Sequence, residues 1–180
     1  MSSTLFFVLA LSACGPCEDS EFSSAAARTS GPRHAATGPA ETKHLTLTTS
    51  APAGAVAPGT RVPLVIDITP KREMHVYAPG QKELIPISLT LEANRAVKAH
   101  AAKFPKPETF TPLDEVQLVY TKPFRVVQDV TVAPNASGTI TIKGTLKYQA
   151  CDNAICYAPV TVPVSWTVGL TAAVSPSSPR

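Results

Sequence analysis

Two segments near the C-terminus alternate apolar and polar residues with a period of two, and this pattern constrains the fold more than any other feature of the chain. In the first segment one face is apolar and the other polar: Ile140, Ile142, Leu146 and Tyr148 against Thr139, Thr141, Lys143, Thr145 and Lys147. The second segment continues the pattern with Val160, Val162, Val164, Trp166 and Val168. Because successive side chains of a strand point to opposite faces of a sheet, the alternation indicates antiparallel strands with one buried face.

Shorter alternating segments precede these two strands. Their apolar positions form three sets: Leu64, Ile66 and Ile68; Ile87, Leu89 and Leu91; Phe124, Val126, Val130 and Val132. The chain also contains 18 prolines, about twice the usual share, and proline disfavours long helices because it fixes φ and donates no backbone hydrogen bond. We expect about seven or eight short strands in an all-β, antiparallel two-sheet sandwich.

The N-terminus has the features of an export signal. The apolar run from Leu5 to Leu11 is much shorter than the roughly 20 residues that cross a bilayer as a helix, as is typical of a signal peptide. The tetrapeptide that ends in Cys14 resembles the bacterial lipobox, although no basic residue precedes the apolar run. We predict a signal peptide over residues 1–19, either of the lipoprotein type with Cys14 lipidated or cleaved in the ordinary way. The mature protein would then be periplasmic, and any membrane anchor would be a lipid.

The sequence Cys14-Gly15-Pro16-Cys17 is also the redox motif of thioredoxins. That motif requires a helix directly after it, because the helix N-terminus lowers the pKa of the attacking thiol. The residues that follow, 18–39, contain two Gly-Pro pairs and show no period of 3.6. We therefore interpret the motif as part of the signal region.

Length and composition predict one folded domain with loose ends. A chain of 180 residues suits a single domain. Residues 20–42 are rich in Ala, Ser, Thr, Gly and Pro, a composition that buries too little apolar surface to fold alone. We predict a flexible linker over 20–42, the folded domain over 43–170 and a disordered tail over 171–180. The net charge of +3 is small and the basic residues are scattered, so we predict no nucleic-acid partner.

Cys151 and Cys156 lie in the connection between the two strands with the clearest alternation, and four residues separate them. A hairpin connection can bring two such cysteines within bridging distance, and an oxidising compartment favours the disulfide. Three interpretations are open: a structural staple, a metal site and a redox-active pair.

A metal would need two further ligands, and the four histidines, His34, His44, His75 and His100, show no ligand spacing. A staple across so short a loop would add only about 2 kcal/mol of stability in the chain-entropy model. A sandwich of this size can bury a sufficient core without it.

Three segments of the chain carry a resemblance to a known family. They are YQAC and CYAP around the two cysteines, Met74–Gly80 upstream, and the stretch from Tyr120 to Val132. Over residues 43–169 the sequence resembles the N-terminal periplasmic domain of the thiol:disulfide interchange protein DsbD. The resemblance implies an immunoglobulin-like antiparallel β-sandwich with a redox cysteine loop between its last two strands.

The resemblance also implies roles for single residues. Cys151 and Cys156 match the redox cysteines, with Cys156 exchanging with the partner and Cys151 resolving. Tyr77 matches an aromatic residue beside them, and His75 stands where other members carry another aromatic. The same motifs place Tyr148 and Tyr157 at the site.

Asp114 and Glu115 match the acidic pair of the loop that caps the disulfide in this family. Val116 follows them where an aromatic residue is expected. Either another residue such as Phe110 caps the disulfide, or the disulfide is less shielded. A carboxylate near Cys156 would raise the pKa of its thiol.

The function implied is a protein-disulfide reductase that needs no cofactor and no metal. It would accept electrons from a membrane thiol reductase and pass them to periplasmic thioredoxin-like or disulfide-isomerase proteins, in a pathway linked to cytochrome c biogenesis. Full-length members of the family carry membrane and thioredoxin-like domains as well, so we expect the electron donor to be a separate protein.

Other interpretations of these residues remain open. Tyr77 and Tyr148 can be core aromatics, His75 a solvated strand histidine, and Asp114 and Glu115 a charged loop. The alternative function is a non-catalytic protein-interaction module with a structural disulfide.

Overall fold

Every strand of the structure pairs antiparallel with a neighbouring strand. The structure is a computed structural model that describes residues 34–112 and 115–172. All these residues belong to one unit, Gly31–Arg180. The described residues form twelve strands: β1 (His34–Glu41), β2 (Leu45–Pro52), β3 (Arg61–Pro70), β4 (His75–Tyr77), β5 (Ser88–Leu91), β6 (Val97–Lys103), β7 (Glu108–Phe110), β8 (Gln117–Tyr120), β9 (Phe124–Val132), β10 (Thr139–Tyr148), β11 (Ala150–Cys151) and β12 (Val160–Gly169).

These strands form three sheets. The largest has the order β1-β2-β3-β9-β6, the second the order β12-β10-β5, and the third the order β11-β4-β8-β7. The expected all-β, immunoglobulin-like antiparallel sandwich is confirmed. The strand count is higher than expected because β4, β7, β8 and β11 have only two to four residues, too few to show an alternating pattern.

The β10–β12 hairpin has the predicted buried and exposed faces. Its ten residue pairs run from Thr139↔Gly169 to Tyr148↔Val160, and Ile142 lies opposite Trp166. The apolar positions of β10 are buried and its lysines are exposed. This hairpin is the scaffold from which the cysteine loop extends.

A single core joins the five-stranded and the three-stranded sheets. Trp166 of β12 is fully buried, and its indole N–H donates to the carbonyl oxygen of Val65 in β3 at 3.0 Å. Leu64, Ile66 and Ile68 of β3 belong to the same apolar cluster. The bond satisfies the one polar atom that Trp166 carries into the core, as buried tryptophan requires.

Strand β1 lies inside the segment that was predicted to be a linker. It pairs along β2, with His34 opposite Pro52 and Glu41 opposite Thr46. Such a strand is held by backbone hydrogen bonds to the edge of β2, and these leave no mark in the sequence because any residue except proline can donate them.

Several predictions fall on residues outside the described part of the chain. They concern the signal peptide with Cys14 and Cys17, the linker before residue 34, and the tail after residue 172. Among the described residues, no helix is long and apolar enough to span a membrane.

Candidate functional site

A disulfide joins Cys151 and Cys156 at the edge of the four-stranded sheet. The chain leaves β10 at Tyr148, forms the two-residue strand β11 against β4, and turns back immediately. Cys151 lies opposite His75 of β4, and Cys156 pairs with Cys151 as an isolated antiparallel bridge. The Cα atoms of the two cysteines are 4.0 Å apart and the S–S distance is 2.08 Å. The cysteine loop therefore lies between β10 and β12, as predicted.

The two cysteines differ in exposure. Cys151 is 1% exposed and packs with Tyr77 and Val119, whereas Cys156 lies on the surface. Thiol-disulfide exchange requires an approach to one sulfur along the S–S axis, so access selects the sulfur that is attacked. The exposed Cys156 is the accessible end of this bond.

Asp152 organises the turn between the cysteines. Its Oδ1 accepts hydrogen bonds from the backbone N–H groups of Ala154 and Ile155, at 2.7 and 2.8 Å. Its Oδ2 accepts a hydrogen bond from the Tyr157 hydroxyl at 2.7 Å. These bonds, led by that from Tyr157, lower the pKa of Asp152 to about 2. The carboxylate is therefore ionised at neutral pH.

The hydroxyl of Tyr77 lies close to both sulfurs of the disulfide. Its oxygen is 2.9 Å from Sγ of Cys151 and 3.4 Å from Sγ of Cys156. Tyr77 is 1% exposed, and burial raises the pKa of its hydroxyl. The hydroxyl therefore keeps its proton and can donate it in a hydrogen bond to sulfur.

His75 and Phe110 form the wall beside the disulfide. The His75 ring is 5.7 Å from the Tyr77 ring and 5.1 Å from the Phe110 ring, measured between centroids. His75 is buried, so the interpretation as a solvated histidine is wrong. Burial lowers the pKa of His75, and the negative charge of Asp152 offsets part of that effect. The imidazole is therefore neutral at pH 7.

An open groove of about 470 Å³ runs along the disulfide. Phe110, Pro112 and Gln117 line this groove together with the residues of the cysteine turn. Phe110 packs against the buried cluster that contains Cys151, whereas Val116 is 65% exposed. Phe110, the aromatic residue considered as a cap in place of Val116, therefore lies next to the disulfide.

The remaining candidate residues lie elsewhere. Tyr148 is buried in the main core, and its hydroxyl is 2.8 Å from Oγ1 of Thr42, because the alternation of β10 directs it inward. Glu115 lines a neighbouring groove of about 440 Å³ together with Val116. Asp114 lies outside the described residues.

Tyr157 supports the site through Asp152 and does not line the groove. Its ring lies 4.5 Å from the ring of His44, between centroids, and Nζ of Lys43 lies 4.8 Å above it. Both ring nitrogens of His44 are buried without a hydrogen-bond partner. Among the described residues, no group of three or more His, Cys, Asp or Glu is arranged to hold a metal.

Sequence reasoning missed Asp152 and Gln117. An aspartate that begins a tight turn is a known signal for side-chain-to-backbone hydrogen bonds, so the role of Asp152 in the turn was detectable. Gln117 lies 34 positions before Cys151, and only the pairing of β8 with β4 brings it to the groove.

Comparison with known proteins found one matching family model and several similar solved structures. The family model described as "Thiol:disulfide interchange protein DsbD, N-terminal" matches residues 44–165. The N-terminal periplasmic domain of ScsB from Proteus mirabilis has a TM-score of 0.55 and 13% identity, covering 77% of this chain and 52% of that one. This chain therefore spans about half the length of that protein.

Two further solved structures are less similar. The reduced N-terminal domain of DsbD from Neisseria meningitidis has a TM-score of 0.44 and 19% identity, over 64% of this chain and 82% of that one. The GAE domain of yeast GGA1 has a TM-score of 0.40 and 12% identity, over 70% of this chain and 94% of that one. No curated protein sequence matches the chain.

Proposed function

Since the chain belongs to the family of the N-terminal domain of the thiol:disulfide interchange protein DsbD, we propose that its Cys151–Cys156 pair relays electrons between two partner proteins. The observation that supports this most is the pairing of one exposed and one buried sulfur in a single bond. The exposed sulfur can react with a partner, while the buried one stays in place to complete the exchange.

Reduction of the domain proceeds in two substitutions at sulfur. A thiolate of the donor attacks Sγ of Cys156, which forms a mixed disulfide and releases Cys151 as a thiolate that takes up a proton. The second thiolate of the donor attacks its own partner sulfur in the mixed disulfide. Cys156 then leaves as a thiolate, takes up a proton, and the donor is left as a disulfide. Two electrons and two protons have entered the domain.

The forward step reverses these roles. The Cys156 thiolate attacks an acceptor disulfide, and one acceptor sulfur leaves as a thiolate. Cys151 loses its proton to solvent and attacks Sγ of Cys156, which releases the second acceptor thiolate. The acceptor is reduced and the Cys151–Cys156 disulfide is restored, without any cofactor.

The proposed compartment is the periplasm, because the similar domain of ScsB is described as periplasmic. The proposed donor is a membrane thiol reductase, and the proposed acceptors are thioredoxin-like or disulfide-isomerase proteins. An export signal in residues 1–19 would deliver the domain to that compartment, and lipidation of Cys14 would anchor it to the membrane there.

Two single variants of the full chain test the relay. Cys151→Ser leaves the exposed Cys156 without its resolving thiol. We mix the reduced variant with a thioredoxin-like partner whose single active-site cysteine is activated as a mixed disulfide with thionitrobenzoate. We expect the Cys156 thiolate to displace the thionitrobenzoate anion and to accumulate as a stable mixed disulfide with the partner. Cys156→Ser leaves the buried Cys151, and we expect at least about tenfold less adduct because the remaining sulfur is inaccessible. Cys14 and Cys17 are present in both variants, so each variant is the control for the other.

The competing function predicts a different result. If the disulfide is only a staple, the native protein resists a physiological dithiol protein, and the bond is reduced only after the domain unfolds. The double Cys151→Ser, Cys156→Ser variant would then retain its partners in a pull-down and lose only about 2 kcal/mol of stability. That outcome would end the relay proposal.

A further inference from the structure

Asp152 carries a negative charge that its hydrogen bonds to the turn backbone do not require. The backbone N–H groups of Ala154 and Ile155 need one acceptor atom, and Oδ1 supplies it. An asparagine oxygen would accept the same two bonds, since asparagine side chains hydrogen-bond the backbone of such turns as aspartate does. The negative charge is therefore a feature separate from the geometry of the turn.

This charge lies in the same turn and the same groove as the exposed sulfur. Ile155, whose N–H is held by the carboxylate, directly precedes Cys156, and Asp152 and Cys156 line the same groove. The phenol of Tyr157 holds Oδ2 at 2.7 Å. The carboxylate thus stays fixed in the turn, although it remains accessible to solvent.

The groups around the turn do not neutralise the carboxylate. From β4, the imidazole of His75 is neutral because burial lowers its pKa, and the phenol of Tyr77 is closer to Cys151 than to Cys156. The ring of Tyr157 contacts His44, whose pKa burial also lowers. The ammonium of Lys43 lies over the same ring and does not line the groove. From the loop before β8, Glu115 adds a further negative charge in the neighbouring groove.

We propose that Asp152 is a positioning residue for the reduced pair, and that its fixed negative charge holds Cys156 in the thiol form. When Cys156 gives its proton to water, the resulting thiolate lies beside a second negative charge, and like charges disfavour ionisation. The thiolate is the nucleophile in disulfide exchange. The charge therefore slows reaction of the free reduced domain with small oxidants.

The biological use of this effect depends on the proposed relay. A partner that brings a positive charge to the groove would offset Asp152 and increase the thiolate fraction only in the docked complex. The reduced cysteine pair would then keep its electrons until an acceptor that carries a positive charge binds at the groove. The effect on the thiol itself is a property of the isolated domain and can be measured without any partner.

The test uses the full chain in a Cys151→Ser background, so that Cys156 is the thiol that reports from the groove. The rate of alkylation by iodoacetamide is followed as a function of pH by mass spectrometry of the peptide that carries Cys156, which separates it from Cys14 and Cys17. We expect Asp152→Asn to move the midpoint of this profile to lower pH. At pH 7 the rate should rise about two- to fourfold, because a larger thiolate fraction outweighs its lower nucleophilicity. In 1 M salt the difference should shrink, because the charge is screened.

Tyr157→Phe is the matched control. It removes a hydrogen bond to Asp152 and leaves the charge, so we expect the midpoint to stay or to move to higher pH. If both variants lower the midpoint alike, loosening of the turn explains the effect and the proposal is wrong. An unchanged midpoint in Asp152→Asn also overturns it. Failure of the relay would show instead as a lack of exchange with dithiol proteins, with the alkylation profiles unaffected.

Discussion

The single proton of the Tyr77 hydroxyl is placed to assist one sulfur of the pair more than the other. Its oxygen is 2.9 Å from Sγ of Cys151 and 3.4 Å from Sγ of Cys156. Cys151 is the leaving group when a donor attacks Cys156, and a leaving thiolate that receives a hydrogen bond is stabilised. The buried phenol and the carboxylate of Asp152 thus act on different cysteines and in opposite directions.

Replacement of Tyr77 by phenylalanine tests this assignment. We expect reduction of the disulfide by a dithiol protein to slow about tenfold, since a hydrogen bond to a charged group contributes roughly 1.5 kcal/mol or more. Stopped-flow reduction assays at several pH values give the rate. Tyr148→Phe is the control, because its hydroxyl bonds Thr42 in the core. Equal slowing in both variants would contradict a specific role for Tyr77.

The residues of the site differ in how far the sequence could reveal them. Cys151, Cys156 and Tyr77 were found because a short motif contains them. The contact between Asp152 and Tyr157 is local and follows from turn chemistry. The packing of Phe110 against His75 depends on β7 and β8 being folded against β4, and no local pattern encodes that arrangement.

Strand length decided which elements could be predicted. The strands β10 and β12 have ten residues each, long enough for the apolar alternation to identify both strands and their buried faces. The strands around the disulfide are much shorter, and β11 has only two residues. Their position is determined by neighbouring strands, so it follows from tertiary structure and not from their own sequence.

Gly144 shows how closely β5 approaches the long hairpin. A Cβ atom at this position would lie 2.8 Å from the backbone oxygen of Thr90 and 2.9 Å from Cδ2 of Leu91. Gly144 pairs with Leu91 of β5 on one side and with Val164 of β12 on the other. The middle of the three-stranded sheet therefore has no space for a side chain at this point.

We expect Gly144→Ala to destabilise the domain by about 1–3 kcal/mol, the usual cost of overpacking. Gly54→Ala is the control, because a Cβ atom there has no neighbour within 4 Å. Urea denaturation of both variants measures the difference. Equal stability of the two variants would mean that β5 moves away from β10 without cost.

Over the whole molecule, two buried histidines connect stability to pH. Burial lowers the pKa of both His44 and His75. As the pH falls below about 6.5, the pKa of histidine in the unfolded chain, both histidines of the unfolded chain take up protons, whereas those of the folded protein stay neutral. The free energy of unfolding therefore decreases from pH 7 towards the lowered pKa of the folded state.

His44→Phe is the variant that tests this dependence. It keeps an aromatic ring against Tyr157 and removes two buried nitrogens that have no hydrogen-bond partner. We expect its stability to decrease less between pH 7 and pH 5.5 than that of the unmodified protein. Chemical denaturation at both pH values provides the comparison, and an identical decrease in the two proteins would show that His44 does not carry the effect.

The cysteine hairpin is held by more than its covalent bond. The N–H of Asp152 donates to the oxygen of Ile155 at 3.0 Å, and the N–H of Tyr157 donates to the oxygen of Ala150 at 2.9 Å. Both bonds can persist after the sulfurs separate. The Cys151 thiol would then stay close to the mixed disulfide between Cys156 and a partner. Its effective concentration at that bond would be high, because the hairpin has already lost the chain entropy of bringing Cys151 and Cys156 together. Each covalent complex should consequently be brief, and the domain should turn over many partners in succession.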